Sequence, residues 1–396
     1  MGVTSISRAV ALLAGVCCTM GWMVPPHDVR THMGVRIPSL MSMSTLTTNV
    51  ISRNAPAPVG PDPYKLVIDD LDQIKAGLKK VLTSKGKGTT SALSSNEVLS
   101  MAAREFMERK GKSFRPMLVL LIGRATDADF KTDQRHSKLA VIAEMIYTAS
   151  LIHEDVLEEH ETDTSQGTLI HQEVALDVGN KVCILAGDFL LAKAAVELSL
   201  LESSAVTEIV AQGLEHICEG GMMGFNSTSK DGELSALTVD QHLEIVSSNI
   251  AQLIANSCQS SAILSGHEPD SMVAQACHLF GEQLAMARHL MEEVDALEAI
   301  LRKRRRKPEV VVQTRSTPFL LAAEQFPDLR PVYGAPIPVA TITKAIRDSD
   351  ALQQTQLRAE AYAQAAADAV AALPNSAARD ALVLLCHKVV SRTPIK

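Results

Sequence analysis

The chain has 396 residues, 46% of them hydrophobic and 21% charged, enough to bury a large core in one big domain or two ordinary ones. Aromatics make up only 3% while Ala, Leu, Val, Ile and Met abound, a composition that suits helix-on-helix packing better than a β-sandwich. A formal net charge of -7 and a pI near 6.0 give no general attraction to nucleic acid and argue against that class of partner.

Residues 1–61 differ from the rest, with four Arg, no Lys and one acid, Asp28. Arg8 precedes an apolar run from Ala9 to Cys18, which suits a signal-peptide core and falls short of the ~20 residues a membrane span needs. After Pro25-Pro26 a Ser/Thr- and Arg-bearing, acid-poor stretch reaches Arg53, as in transit peptides. The two together resemble the bipartite leaders of plastid proteins in algae with secondary plastids; a plain mitochondrial or plastid presequence is the alternative. Residues 1–61 are therefore expected to be a cleaved targeting leader, and 62–396 a single helical domain with no transmembrane span.

From Tyr64 the apolar spacing is helical: Leu66, Ile68, Leu71, Ile74 and Leu78 recur at threes and fours. Lys85-Gly86-Lys87-Gly88 breaks that pattern. Helices are predicted at roughly 94–110, 114–126, 136–159, 179–202, 205–224, 239–265, 270–301, 317–327, 338–370 and 377–392, with no strand. The segments 141–153 and 182–195 are apolar nearly all round and are expected in the middle of a bundle. Cys183, Cys218, Cys258, Cys277 and Cys386 form no CxxC pair and read as small buried hydrophobes in a reducing compartment. The fold class is all-α, one large helical bundle.

Three strings are more specific: Gly111-Lys112-Ser113-Phe114-Arg115-Pro116, then Ala143 to Glu158 (AEMIYTASLIHEDVLE), then Gly179 to Ala192 (GNKVCILAGDFLLA). In this order they resemble the trans-polyprenyl diphosphate synthases, especially the cyanobacterial and plastid solanesyl type. The resemblance runs from about residue 64 to the C-terminus. It implies an isoprenoid-synthase bundle in which Mg²⁺, held by carboxylates on two facing helices, draws away an allylic diphosphate. Isopentenyl diphosphate then attacks the carbocation. Such carboxylates are hard oxygen ligands, as Mg²⁺ requires.

For the first metal motif the resemblance implies Glu154, Asp155 and Glu158, with Glu154 and Glu158 on one helix face; the alternative is a solvated acidic helix end. Glu292 and Glu293 stand at the second motif, but its i+4 position is Ala296, and Asp295 lies one residue early. Lys112 and Arg115 match the family's isopentenyl diphosphate-binding pair, unless Arg115-Pro116 only opens a helix. The resemblance also implies that Ala149 is the small residue that long-chain synthases place below the first motif to leave a tunnel open.

Much of the family's cationic lining is replaced. Thr162 to Gly167 stand where paired arginines are expected, Asn249-Ile250 where a Lys-Thr pair is, and Met222-Met223 where a Gln-rich site is. An allylic diphosphate would lose bidentate donors there. The run Arg302-Lys303-Arg304-Arg305-Arg306-Lys307 offers Arg304, Arg305 and Arg306 as a substitute phosphate clamp, or is a solvated loop.

The favoured expectation is a non-catalytic or regulatory subunit of a heteromeric synthase for isoprenoid or quinone side chains, forming a homo- or heterodimer with a catalytic synthase. The alternatives are an active Mg²⁺-dependent long-chain prenyltransferase, or a scaffold subunit of a larger plastid assembly.

Overall fold

The computed structural model describes residues 51, 58–83, 113–127, 134–158, 176–226, 237–302, 315–329 and 339–391. For residues 79–83, 155–158, 176–179, 225–226, 302, 328 and 339 only the backbone is described. Lys112, the helix expected at 94–110, the stretch Thr162 to Gly167 and Arg304, Arg305 and Arg306 lie outside these residues.

The helices are α1 (Pro63–Leu66), α2 (Ile68–Thr83), α3 (Phe114–Thr126), α4 (Gln134–Glu158), α5 (Leu176–Ser199), α6 (Ser204–Asn226), α7 (Val239–Val246) and α8 (Gln252–Leu264). They continue with α9 (Met272–Arg302), α10 (Thr317–Gln325), α11 (Val339–Asp348), α12 (Ala351–Ala371) and α13 (Ala377–Val390). The described residues contain no strand, and no helix among them is long and apolar enough to cross a membrane.

Helix α3 is buried along nearly its whole length. Met117 through Ile122 are all buried, because six consecutive apolar residues leave no polar face to turn outward. It touches α4, α8 and α13, and α8 meets it through small residues: Ser261 Oγ donates to the Val119 carbonyl at 2.7 Å. Helix α9 packs along α8 and α12. Its Gly281 is required by close approach, since a Cβ there would lie 2.8 Å from the Ala255 Cα.

The apolar residues form two clusters. The larger is built on α3, α4, α8, α9, α12 and α13. The smaller gathers Val239, Leu297, Phe319, Ile342, Ile346 and Ala351 around α10. Asp62 caps α1, accepting from the Tyr64 and Lys65 N–H groups, and pairs with Lys388 of α13 at 2.5 Å.

Four expectations need correction. Cys218, expected to be buried with the other cysteines, is exposed on α6, while Cys183, Cys258, Cys277 and Cys386 are buried. The helix predicted at 239–265 contains a π-helical turn, Ser247–Ala251, between α7 and α8. The helix predicted at 338–370 is two, because Ser349 and Asp350 end one and open the next: Asp350 Oδ1 accepts from Gln325 and Gln354. Segment 182–195 is buried on one side only, with Ile184 and Leu185 44% and 54% exposed. All-round apolarity does not distinguish burial within one chain from a face left for another surface.

Candidate functional site

The first acidic motif ends α4. Ala149 and Ile152 are fully buried beneath it and Glu154 is exposed. The helix continues to Glu158, so Glu154 and Glu158 keep their i, i+4 relation. The Asp155 and Glu158 side chains lie outside the described atoms. His153 joins α4 to α5: its Nε2 is 3.2 Å from the Ile184 carbonyl and 3.6 Å from the Asp188 carboxylate. Gly187 permits this, since a Cβ there would lie 2.2 Å from that nitrogen.

The second motif is on α9, where Glu292 and Glu293 point to different surroundings. Glu292 is exposed and accepts from Arg288 Nε at 2.8 Å, and Asp295 and Ala296 are exposed too. Glu293 is buried. Its Oε1 lies 3.1 Å from His242 Nε2 of α7 and 3.4 Å from His289 Nε2 one turn back on α9. Its Oε2 accepts the Thr317 N–H at 3.1 Å. That donor opens α10 and has no carbonyl of its own helix to take it. Burial alone would raise the Glu293 pKa, but hydrogen bonds from His242 and His289 outweigh it and hold the carboxyl down at about 2.

Arg115 lies in the first turn of α3, wholly buried, with its guanidinium 3.0 Å from the centre of the Tyr147 ring on α4. Glu144, one turn earlier on α4, is buried nearby, and Arg288 stacks on Phe114 at 4.1 Å. Desolvation pushes the Glu144 pKa up, against the pull of Arg115 and Arg288. It also lowers that of Arg115, despite Tyr147 and Glu144. An arginine stays charged in proteins, so we read this cluster as a buried cation held by a π-face and a nearby carboxyl. Arg115 Nε and Glu144 Oε2 are buried without a hydrogen-bond partner among the described residues.

Asn249 and Ile250 fall in the π-helical turn. The Asn249 side chain is turned onto α6, where a Cβ at Gly220 would lie 2.1 Å from its Oδ1. Met222 is exposed on the same helix.

Magnesium fits one half of this arrangement in kind and not the other. Glu154 is a hard oxygen donor, exposed in the last turns of α4. Glu293 is not open: an imidazole pair and a backbone N–H already face its two oxygens, and Mg²⁺ discriminates against nitrogen ligands. Sequence reasoning missed the role of His242, which lies far from Glu293 in the chain. The i, i+4 spacing of His289 and Glu293 was the one available signal. It also missed Tyr147 as the surface that holds Arg115.

The Polyprenyl synthetase family model matches residues 96–292. The chain is 30% identical to a decaprenyl-diphosphate synthase of Dictyostelium discoideum, over 84% of this chain and 72% of that one. It is 30% identical to the mitochondrial solanesyl-diphosphate synthase 1 of Oryza sativa, over 84% and 79%. Among solved structures, it superposes on a Caulobacter crescentus polyprenyl synthase complexed with calcium and isoprenyl diphosphate with a TM-score of 0.66. That match has 25% identity and covers 86% of this chain and 100% of that one.

Proposed function

Because the chain belongs to the polyprenyl synthetase family, we propose that it is a non-catalytic or regulatory subunit of a heteromeric polyprenyl diphosphate synthase. The observation that carries this reading is Glu293. A carboxylate with both oxygens engaged by the protein is a poor magnesium ligand. Its neighbour Glu292 is neutralised by Arg288. Arg115, the described member of the isopentenyl diphosphate pair, is stacked on Tyr147.

A diphosphate buried without cationic partners costs several kcal/mol, and one lost stabilising donor commonly lowers turnover ~100-fold. The frame, by contrast, is kept. Leu185, Ala192 and Val196 of α5, with Leu200 in the turn just past its end, lie on one side and are exposed. Such a face supports pairing with a catalytic synthase through α5. A leader over 1–61 and a mitochondrial relative in rice support an organellar site of work, plastid by the leader's two-part composition.

A working Mg²⁺-dependent prenyltransferase is the competing reading, favoured by the solvent-exposed carboxylate of Glu154 and by the buried Arg115 Nε, which has no hydrogen-bond partner among the described residues. The two separate in one assay: the purified chain with Mg²⁺, farnesyl diphosphate and labelled isopentenyl diphosphate. The subunit reading expects background incorporation from the chain alone, and raised output when a catalytic synthase is added. Long-chain product from the chain alone overturns it.

A further inference from the structure

We propose that His242, His289 and Glu293 form a binding site for a divalent transition metal of the zinc class, distinct in chemistry from any magnesium site. Each residue offers one ligand atom, and these atoms lie within 4.8 Å of one another. Around Zn²⁺, with bonds of about 2.0–2.1 Å to nitrogen and oxygen, tetrahedral ligand atoms stand roughly 3.3 Å apart. The two imidazole nitrogens are 3.1 and 3.4 Å from Glu293 Oε1, the edge lengths such a tetrahedron requires.

The two ring centroids are 6.4 Å apart and the rings are tilted by 46°, so they are not stacked on one another. The second oxygen of Glu293 is anchored by the Thr317 N–H, the outer-shell restraint that fixes a ligand's orientation. Three protein ligands leave a fourth position for water or a substrate oxygen. Two imidazoles with one carboxylate favour Zn²⁺, Co²⁺ or Fe²⁺ and disfavour Mg²⁺. Along α7 and α9 its residues stand within four positions of Val239 and Leu297 of the smaller apolar cluster and of Val246 and Leu290 of the larger. A bound metal would tie α7 to α9.

The test uses the full chain purified without a polyhistidine tag. Loaded with Zn²⁺ and gel-filtered, it should retain one equivalent per chain and melt at a higher temperature, with excess Mg²⁺ neither displacing the zinc nor reproducing the rise. X-ray absorption at the zinc edge should show only nitrogen and oxygen neighbours, a readout that needs no variant. His242→Asn and His289→Asn should each weaken zinc by more than the ~10–100-fold that loss of an outer-shell partner costs, and abolish the visible bands of bound Co²⁺. Substoichiometric zinc in the wild type, sulfur in the zinc shell, or equal retention by the folded variants would overturn the proposal.

Discussion

Glu292 and Glu293 are adjacent, yet the helix turns one to solvent and the other into protein. Their amides should therefore behave differently. Glu292→Gln removes an exposed ion pair to Arg288 and should change stability by less than about 1 kcal/mol. In Glu293→Gln, a single amide oxygen cannot serve both the Thr317 N–H and two imidazole donors, so the variant should lose roughly 3 kcal/mol in urea denaturation. Equal effects from the two would show that Glu293 is not held as described.

Asp62 gives a pH-dependent counterpart. Burial tends to raise its pKa, but Lys388 and the N–H groups of Lys65 and Tyr64 hold it below 3.8. A carboxyl with a depressed folded pKa stabilises the fold above its unfolded value, and the contribution is lost as pH falls through the folded value. Near neutrality Asp62→Ala should cost about 1 kcal/mol as a lost cap. Melting curves of wild type and variant should converge as the pH drops below 3.8.

The legibility of these residues in the sequence was uneven. Glu292 and Glu293 stood out as a pair of carboxylates. Which one faces inward depends on α7 and α10 closing over α9, and no local pattern records that. Arg115 was legible as a cation at a helix start, whereas its burial against Tyr147 is a contact between helices.

At the scale of elements, the spacing of apolar residues was a good guide wherever one face is buried. The helix predicted at 114–126 is α3 to the residue, because an uninterrupted apolar run leaves little choice of ends. The π-helical turn at Ser247–Ala251 escaped detection, since one extra residue in a turn barely alters the hydrophobic pattern. In the fold it lies against α6, where Gly220 leaves room for the Asn249 side chain. The break at Ser349 and Asp350 has ordinary cap residues, but no Gly or Pro marks it.

The α8–α9 contact rests on Gly281, where an added methyl meets main-chain atoms that cannot rotate away. Gly281→Ala should cost about 3 kcal/mol, read as a lower urea midpoint with unchanged slope. A stability within experimental error of wild type would mean that these helices pack less closely than described.

At the scale of the molecule, the all-α class and the family were legible, because both live in the apolar frame and in strings such as Gly179 to Ala192. The outward face of α5 was not, since periodicity cannot say which chain buries an apolar surface. If that face joins two subunits, Val196→Glu with Leu200→Glu should shift sedimentation toward the monomer while leaving the melting temperature nearly unchanged. Both side chains are more than half exposed within one chain, at 57% and 52%. A dimer that persists would move the pairing surface elsewhere.

Glu293, the buried carboxylate of α9, has both oxygens turned to protein partners, the Thr317 N–H and the imidazoles of His242 and His289. The most direct measurement is a crystal structure of the chain grown with Mg²⁺, isopentenyl diphosphate and an uncleavable farnesyl diphosphate analogue. The expected result is Glu293 still bonded to the Thr317 N–H and facing His242 and His289, with no magnesium on α9. A magnesium ion joining Glu293 to the diphosphate, with both histidines displaced, would contradict it.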